Sequence, residues 1–499
     1  MSQENISSIV IVGGDISAWA AAAWLANSLK GLPIKITLLE LPDMVNAEPM
    51  QYTVPETLRF FPPLGIDATE LVKQTGATYR LGTGLHGLLS AEEHRILPFG
   101  RFGSDIGFVH FHHFISRAHQ QGEALTLNDY SPTAVAARNG RFMRAEDDSE
   151  GKNPPLIYGL NFNTEKLTQL LCENATINGV GVVSSRIDSV QFKPETGHID
   201  SLTLQDKSTL TADLFVDCSG EDALLIGAAL GVEFDDWSGL LPCSRSIAVT
   251  AKTDHDNIPV HHCTATEQGW FLSTPLQYRT ACQFRYAPEL VSDEAAATRL
   301  RDFVGEQDPD ALAMSDMRSG QRREIWHKNC VALGAAAGWV EPLDISNFHL
   351  LMSGLSRLTQ LMPTLGMQEE LAAEYNQAMS NELQCSRDFT LLHYLSANWR
   401  SSEFWEALRD RPLPDSLQHR IELFCSRGRV WLDEHEVFPR EAWAAAFFAA
   451  ELWPRGYDPL LDSMNSAQLQ QHFANMKQAI LQAVHQMPDH RDYLKNLTA

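Results

Sequence analysis

The first forty residues place a strand, a glycine turn, a helix and a second strand in an order that few folds accommodate. Residues 8–12 are rich in β-branched side chains, and an alanine-rich run at 20–26 predicts a helix. The second predicted strand, residues 34–39, ends on Glu40. An acidic residue at this place hydrogen-bonds a ribose hydroxyl in dinucleotide-binding βαβ units. A plain βαβ unit without a nucleotide would show the same pattern.

The glycine turn departs from the usual dinucleotide fingerprint. A G-x-G-x-x-G pattern that starts at Gly13, and continues with Gly14, has Asp15 at its second glycine and Ala18 at its third. Alanine is accepted at the third place. A carboxylate about 4 Å from a phosphate costs on the order of 4 kcal/mol at an effective dielectric near 20, unless it turns to solvent. The turn therefore predicts weakened dinucleotide binding.

A second turn of small residues lies between an apolar run at 329–333 and a helical pattern at 348–355. It reads Gly-Ala-Ala-Ala-Gly from Gly334 to Gly338, and Asp344 follows shortly after it. Small residues at a strand-to-helix turn allow the backbone to approach a flat or phosphate-bearing ligand. Tight packing alone also favours such a turn.

Composition excludes several classes of protein. The formal charge of −24 over 499 residues argues against a nucleic-acid partner and against a basic membrane surface. The eight cysteines are scattered without metal-ligand spacing, which suits a reducing compartment and predicts no metal site. No apolar run reaches membrane length. We therefore expect a soluble, cytoplasmic protein that does not bind membranes.

The remaining pattern predicts further organisation along the chain. A helix is predicted over residues 161–171 with Thr164 as its N-cap, and alternating residues at 180–217 predict strands. The pattern is helical from about residue 365. We expect a core with an inserted sheet over residues 1–365 and a helical subdomain over 366–499.

Ordered motifs over nearly the whole chain resemble those of the flavin-dependent tryptophan halogenases. They lie at residues 12–19, 77–82, 216–220, 236–237, 241–245, 269–277, 329–343, 393–394, 404–405, 438–443 and 454–459. The resemblance implies an α/β fold, with a nucleotide-binding core of the FAD-dependent monooxygenase/halogenase type, an inserted substrate sheet and a helical C-terminal subdomain. It also implies FAD reduced by a separate flavin reductase, an aromatic, indole-like substrate, and a homodimer as one oligomeric state.

The resemblance also assigns residues to the cofactor and the reaction. The implied FAD contacts are Gly13, Gly14, Ala18, Glu40, Gly334, Ala335, Gly338 and Leu343. The family's oxidant-relay lysine falls on Arg80, which cannot become a neutral amine, and its glutamate falls on Asp344, one methylene shorter. The halide positions fall on Ser346 and Asn347. The substrate pocket is expected at His110, His112 and His113, which lie at a strand or a helix start.

These departures from the family fall at positions that its members use for the cofactor, the halide, the oxidant-relay lysine and the catalytic acid. The function predicted is therefore that of a divergent FAD-dependent oxidoreductase of the halogenase and monooxygenase type, with Asp344 as acid/base and Arg80 as an oxidant or substrate contact. The alternative is a non-catalytic protein that keeps the fold and binds a ligand or a partner.

Overall fold

The structure is a computed structural model that describes residues 5–44, 46, 48–87, 94–123, 125–148, 151, 153–251, 258–305, 312–396, 402–433 and 436–498. Its strands are β1 Ser8–Gly13, β2 Lys35–Glu40, β3 Met50–Tyr52, β4 Thr78–Arg80, β5 Gly82–His86, β6 His94–Pro98, β7 Gly159–Asn163, β8 Gly181–Ser184, β9 Ile187–Phe192, β10 Ile199–Leu204, β11 Thr209–Thr211, β12 Leu214–Cys218, β13 Phe234–Asp236, β14 Arg245–Ala251, β15 His261–Thr266, β16 Gly269–Pro275, β17 Thr280–Tyr286, β18 Ala313–Asp316, β19 Gly320–Arg322, β20 Trp326–His327, β21 Cys330–Ala332 and β22 Gly338–Trp339. Its α-helices are α1 Ile16–Ser28, α2 Ala68–Thr75, α3 Phe111–Gln120, α4 Pro132–Arg138, α5 Thr164–Ile177, α6 Asp293–Val304, α7 Asn347–Gln360, α8 Glu369–Ser396, α9 Glu403–Arg409, α10 Asp415–Arg427, α11 Arg440–Ala449, α12 Ser466–Gln486 and α13 His490–Thr498.

The chain divides into two compact units that are both discontinuous in sequence. The first unit consists of Met1–Ala77, Phe162–Arg245 and Met314–Ser386. The second consists of Thr78–Asn161, Ser246–Ala313 and Arg387–Ala499. The predicted boundary between the core at 1–365 and the helical subdomain at 366–499 falls inside the first unit, between α7 and α8, and that division stays a prediction.

The core of the first unit is a sheet in the order β20-β21-β12-β1-β2-β8. Its central strand β1 is parallel to both β2 and β12, and the register places Gly13 beside Glu40 on one side and beside Cys218 on the other. Helix α1 is buried over almost its whole surface and packs on α5 and α7. The small side chains of the alanine-rich run at 20–26 let these helices approach closely. The predicted βαβ unit is therefore confirmed.

One predicted helix starts later than expected. Residues 161–163 belong to β7, and α5 begins at Thr164 rather than at residue 161. The N-cap is Asn163 and not Thr164, because the Asn163 side chain accepts a hydrogen bond from Lys166 N at 2.9 Å. Thr164 is already helical and buried.

The second unit is built on strands in the order β14-β17-β16-β15-β5-β6. Strands β15 and β5 are parallel, whereas β15–β16, β16–β17 and β5–β6 are antiparallel. One face of this sheet carries α6, which packs on a cluster that includes Val249, Phe284 and Leu300. The predicted helical character after residue 365 is confirmed by α8 to α13. None of the helices described here is both long and apolar enough to cross a membrane.

Candidate functional site

The two glycines of the first turn are required by the packing of the protein itself. A Cβ on Gly13 would lie 2.5 Å from the carbonyl oxygen of Cys218, on the neighbouring strand β12. A Cβ on Gly14 would lie 2.7 Å from the carbonyl oxygen of Leu41. Both distances are far below van der Waals contact, so any side chain here would push strands apart. These glycines are therefore compatible with a nucleotide but do not require one.

Asp15 does not turn to solvent but caps helix α1. Its Oδ1 accepts hydrogen bonds from the backbone of Ser17 at 2.9 Å and of Ala18 at 3.4 Å. Burial raises the pKa of the Asp15 carboxyl to about 6, and these hydrogen bonds only partly counter the rise. The amides at the start of a helix are those that bind phosphate in dinucleotide sites. Two of them are therefore engaged by a carboxylate of this chain.

Two residues that follow β2 engage two further amides of the turn. The side-chain oxygen of Asn46 accepts a hydrogen bond from Ile16 N at 2.8 Å. The sulfur of Met44 lies 3.3 Å from Gly14 N, which donates to it. Sequence reasoning missed both residues, because no local pattern indicates where a loop after β2 folds back. The capping role of Asp15, in contrast, follows from the preference for Asp at helix N-caps.

Glu40 occupies the position expected for a ribose contact. It is the last residue of β2, it pairs in register with Gly13, and its side chain is partly exposed. The carboxyl end of a parallel sheet is where such folds bind their ligands. Glu40 therefore fits the adenosine side of a dinucleotide.

The second small-residue turn lies against the first. Gly334 has a φ of +60°, and a Cβ there would lie 2.5 Å from Ser17 Oγ at the start of α1. A Cβ on Gly338 would lie 2.8 Å from the carbonyl oxygen of Gly320. The two turns therefore lie together, and the close approach between them is between protein atoms.

A cavity of ≈ 80 Å³ lies between the two turns. Its lining includes Asp15, Ser17, Asn46, Glu48, Gly334, Ala335, Gly338 and Asn347. Ligand pockets are typically about 300–1,000 Å³. The residues around it fit FAD in kind, namely a glycine turn, a helix N-terminus and Glu40. The amides of this turn are already hydrogen-bonded to Asp15, Asn46 and Met44, so a phosphate bound at these amides would have to replace those contacts.

The loop before α7 carries the predicted acid and halide residues. Asp344 is buried, with 7% of its surface exposed, and Leu343 beside it is fully buried. Ser346 is the N-cap of α7, because its Oγ accepts from His349 N at 3.1 Å while it donates to the carbonyl of Tyr52 at 2.6 Å. The Tyr52 hydroxyl in turn donates to a carbonyl within the same loop. The loop is therefore held in one arrangement by the helix cap and by hydrogen bonds to Tyr52 on β3.

Asn347 has a structural task that sequence reasoning did not foresee. Its side chain accepts from Val340 N at 3.1 Å and donates to the carbonyl of Val340 at 2.8 Å. This two-point contact closes the loop that contains Asp344. The N-terminus of a helix favours a bound anion, and Ser346 and Asn347 lie at that end of α7. Halide binding at these two residues stays a prediction.

Arg80 is fully buried at the end of β4 in the second unit. Its Nε donates to the carbonyl of Gly82 at 3.2 Å, and its Nη2 donates to Thr83 Oγ1. The guanidinium lies 4.9 Å from the centre of the Phe99 ring. The guanidinium is therefore a positive charge that is fixed in position by the Phe99 ring and by hydrogen bonds to Gly82 and Thr83.

The three histidines lie at a helix start, which decides between the two expected structures. His110 is the N-cap residue of α3 and contacts Asp105 Oδ2 at 2.9 Å. His112 donates from Nε2 to the carbonyl of Gly428 at 2.7 Å, and burial lowers its pKa to about 3. Burial also lowers the pKa of His113 to about 4. None of the three lines a described cavity, so the pocket assignment stays a prediction.

Within the described residues, no three His, Cys, Asp or Glu side chains form a group that would hold a metal ion. The described cysteines are all free thiols.

Comparison with known proteins gives consistent results over the whole chain. The family model described as tryptophan halogenase matches residues 8–466. Tryptophan 6-halogenase SttH of Streptomyces toxytricini is 28% identical over 461 residues, which are 88% of this chain and 87% of that protein. The structure of BrvH, a flavin-dependent halogenase from Brevundimonas sp. BAL3, matches with a TM-score of 0.92 and 32% identity and covers 99% of both chains. That of Xcc4156, a flavin-dependent halogenase from Xanthomonas campestris, matches with a TM-score of 0.93 and 31% identity, over 99% of this chain and 98% of that one. The predicted fold class is confirmed.

Proposed function

Because the chain belongs to the tryptophan halogenase family, we propose that it is a flavin-dependent halogenase of an indole-like aromatic compound. The full-length likeness to flavin-dependent halogenases carries this proposal. Bound reduced FAD, supplied by a separate flavin reductase, would provide the reaction between oxygen and halide. The residues of this chain would bind the FAD, orient the substrate and exchange protons with it.

The FAD contacts proposed are those of the first unit. Glu40 would accept a hydrogen bond from a ribose hydroxyl, and Gly13 and Gly14 keep the turn open beside it. The amides of Ser17 and Ala18 would hold the pyrophosphate once the Asp15 carboxyl has left them. Two of the three protein groups that must leave, Asn46 and Met44, lie on the loop after β2. Affinity for FAD is therefore lower than an open site would have.

Asp344 is proposed as the proton acceptor. A carboxylate can take the ring proton during aromatic substitution if it reaches about 3 Å from it. Asp344 is buried away from solvent. Hydrogen bonds of Ser346 and Asn347 hold the loop that carries it in place. Placed proton transfer contributes about 10²–10⁴-fold to a rate.

Arg80 is proposed as a fixed positive charge rather than a covalent carrier of halogen. A guanidinium stays charged, so it directs an oxidant by hydrogen bonding and not as a neutral nucleophile. Its anchoring by Gly82 and Thr83 restricts it to one position. We therefore expect slow halogenation of free tryptophan and faster reaction of indoles with more electron-rich rings.

The test is a product analysis with a reductase, FAD, NADH, oxygen and either chloride or bromide, over a panel of indoles. Halogenated products are recognised by their isotope pattern in mass spectrometry. Asp344→Asn should lower product formation about 10²-fold or more at unchanged melting temperature. Asp67→Asn, at an exposed helix cap, is the matched control and should have no effect.

Two results would contradict the proposal. Halogenated product formed equally well by Asp344→Asn would remove Asp344 from the reaction. Absence of FAD binding together with absence of any halogenated or hydroxylated product would support the non-catalytic alternative.

A further inference from the structure

A large cavity in the second unit is lined by none of the residues assigned above. Its volume is ≈ 810 Å³, which is within the range of about 300–1,000 Å³ that is typical of small-molecule sites. Its lining includes Gly84, His86, Arg95, Ile96, Leu127, Arg138, Val260, His262, Thr264, Ser273, Phe303, Ala445, Phe448, Glu451 and Trp453. All of these belong to the second unit.

The cavity lies on the face of the sheet that is opposite to Arg80. Residues alternate between the two faces of a strand, and paired positions on neighbouring strands share a face. Arg80 contacts the side chain of Thr83, which pairs with His261. The next positions, Gly84 and His262, pair with each other and point the other way, into the cavity. On β5 and β15 the lining positions are therefore on the face opposite to Arg80, whereas the edge strand β6 also contributes Arg95 and Leu97, which pair with Leu85 and Thr83.

The walls of the cavity are aromatic and already packed. The Phe303 ring stacks on Phe271 with 4.3 Å between ring centres and 5° between ring planes. On the other side Trp453 lies 4.8 Å from Phe448 and stacks on His119 at 3.6 Å. Rings fixed by their own neighbours offer flat apolar surface at little cost in side-chain entropy. The walls therefore suit a flat aromatic ligand.

One side of the cavity carries a pair of histidines beside the polar side chains of Thr264 and Ser273. His86 Nε2 and His262 Nδ1 are 2.9 Å apart, so one imidazole donates a hydrogen bond to the other. They meet over Gly84, where a Cβ would lie 3.0 Å from the first nitrogen and 3.1 Å from the second. The missing side chain at Gly84 thus allows the pair to form. Such a pair can orient one polar group of a bound molecule.

The charged residues of the lining are already paired. Arg95 contacts Glu451 and donates to the carbonyl of Ala449 at 2.6 Å. Arg138 contacts Asp129 at 2.8 Å. Each described charge that lines the cavity therefore has an opposite partner. An anionic or cationic ligand would have to break one of these pairs, whereas a neutral ligand would not.

We infer that this cavity, which is lined by none of the residues proposed for the reaction, is a second binding site for an uncharged aromatic molecule of two or three rings with one hydrogen-bonding group. The aromatic walls stack on the rings, and the His86–His262 pair orients the polar group. The inference does not depend on flavin binding or on turnover.

The test uses N-phenyl-1-naphthylamine, a neutral probe whose fluorescence increases in an apolar site, with the full-length protein. We expect saturable binding, and at least a tenfold loss of affinity in Thr264→Trp, which places an indole inside the cavity. Thr209→Trp is the matched control on an exposed strand of the first unit and should bind as wild type does. Ala445→Leu fills the cavity from the helix side, and serves if the tryptophan variant does not fold.

The histidine pair is tested with a second probe, 1-phenylnaphthalene, which lacks the amine. Wild type should prefer the amine about fivefold, the value of one hydrogen bond. The double variant His86→Phe/His262→Phe should bind the two probes equally. Asp344→Asn should bind both as wild type does, which separates this site from the proposed reaction. Unchanged probe affinity in folded Thr264→Trp and Ala445→Leu, or no saturable binding to wild type, would overturn the inference.

Discussion

The carboxyl of Asp15 makes FAD affinity dependent on pH, in a direction that the structure fixes. It sits at the helix N-terminus where the pyrophosphate would bind, and burial raises its pKa from 3.8 to about 6. Below pH 6 the group is mainly neutral, and above it the group is an anion that opposes the phosphates. FAD should therefore bind more tightly as pH falls.

The magnitude follows from the pKa. If only the protein with neutral Asp15 binds FAD, the apparent Kd equals the Kd of that neutral form multiplied by 1 + 10^(pH − 6). Between about pH 5.5 and 7.5 this amounts to an increase of about 25-fold, which is an upper limit because the ionised form retains some affinity. The same ionisation lowers folding stability as pH rises through 6, since a raised pKa favours the protonated native state.

The substitution that isolates this effect is Asp15→Asn. Asparagine caps helices as well as aspartate does, so the hydrogen bonds to Ser17 and Ala18 are kept while the charge is lost. The Kd measured by flavin fluorescence should become nearly independent of pH, and at pH 7.5 it should fall at least tenfold. Asp67→Asn, which removes a carboxylate with the same two-amide contact at the start of α2, is the matched control.

The reasoning would be refuted by equal pH profiles for wild type and Asp15→Asn. A separate variant, Asn46→Ala, frees the amide of Ile16 without touching the carboxyl. It should tighten FAD binding by a similar factor at every pH and leave the profile in place. A flatter profile in this variant would assign the titration to another group.

Three further outcomes are expected. Arg80→Lys restores a group that can become a neutral amine, and should raise the ratio of halogenated product to consumed NADH, measured by mass spectrometry beside NADH absorbance. His349 is buried beside Thr57 with its pKa lowered to about 4, so stability should fall as pH drops from 6.5 to 4. In His349→Gln, urea unfolding should show a weaker acid loss, by up to about 3 kcal/mol. Asn347→Ala removes both hydrogen bonds to Val340 and should cost about 1–3 kcal/mol in the same assay, whereas removal of the exposed amide of Gln418 should cost almost nothing.

Local patterns predicted the elements that build the core. The β-branched run at 8–12 became β1, the alanine run lies within α1, and the run ending on Glu40 became β2, because periodicity and propensity act within a few residues. Patterns of this kind report what each segment forms but not which loop folds over it.

The occupied turn could not be predicted because its partners are distant in the chain. Asn46 reaches Ile16 across thirty residues, and Asn347 closes a loop around Asp344 through a contact that spacing alone does not indicate. The cavity beside His86 and His262 was also missed, since these residues come together only through the parallel pairing of β5 with β15. Contacts between segments far apart in sequence depend on topology, which a single sequence constrains weakly.

The order of strands around β1 has a consequence for how the protein is made. Strand β1 can pair with β2 almost as soon as both leave the ribosome, but its other neighbour, β12, pairs Leu214 with Ile9 and is synthesised 205 residues later. At translation rates of about 5–20 residues per second, that edge of β1 waits for roughly 10–40 s. The third strand, β21, follows β12 by more than a hundred residues again. An apolar strand with one open edge for this time is an aggregation hazard, so the nascent chain is a natural client for chaperones that cover exposed strands.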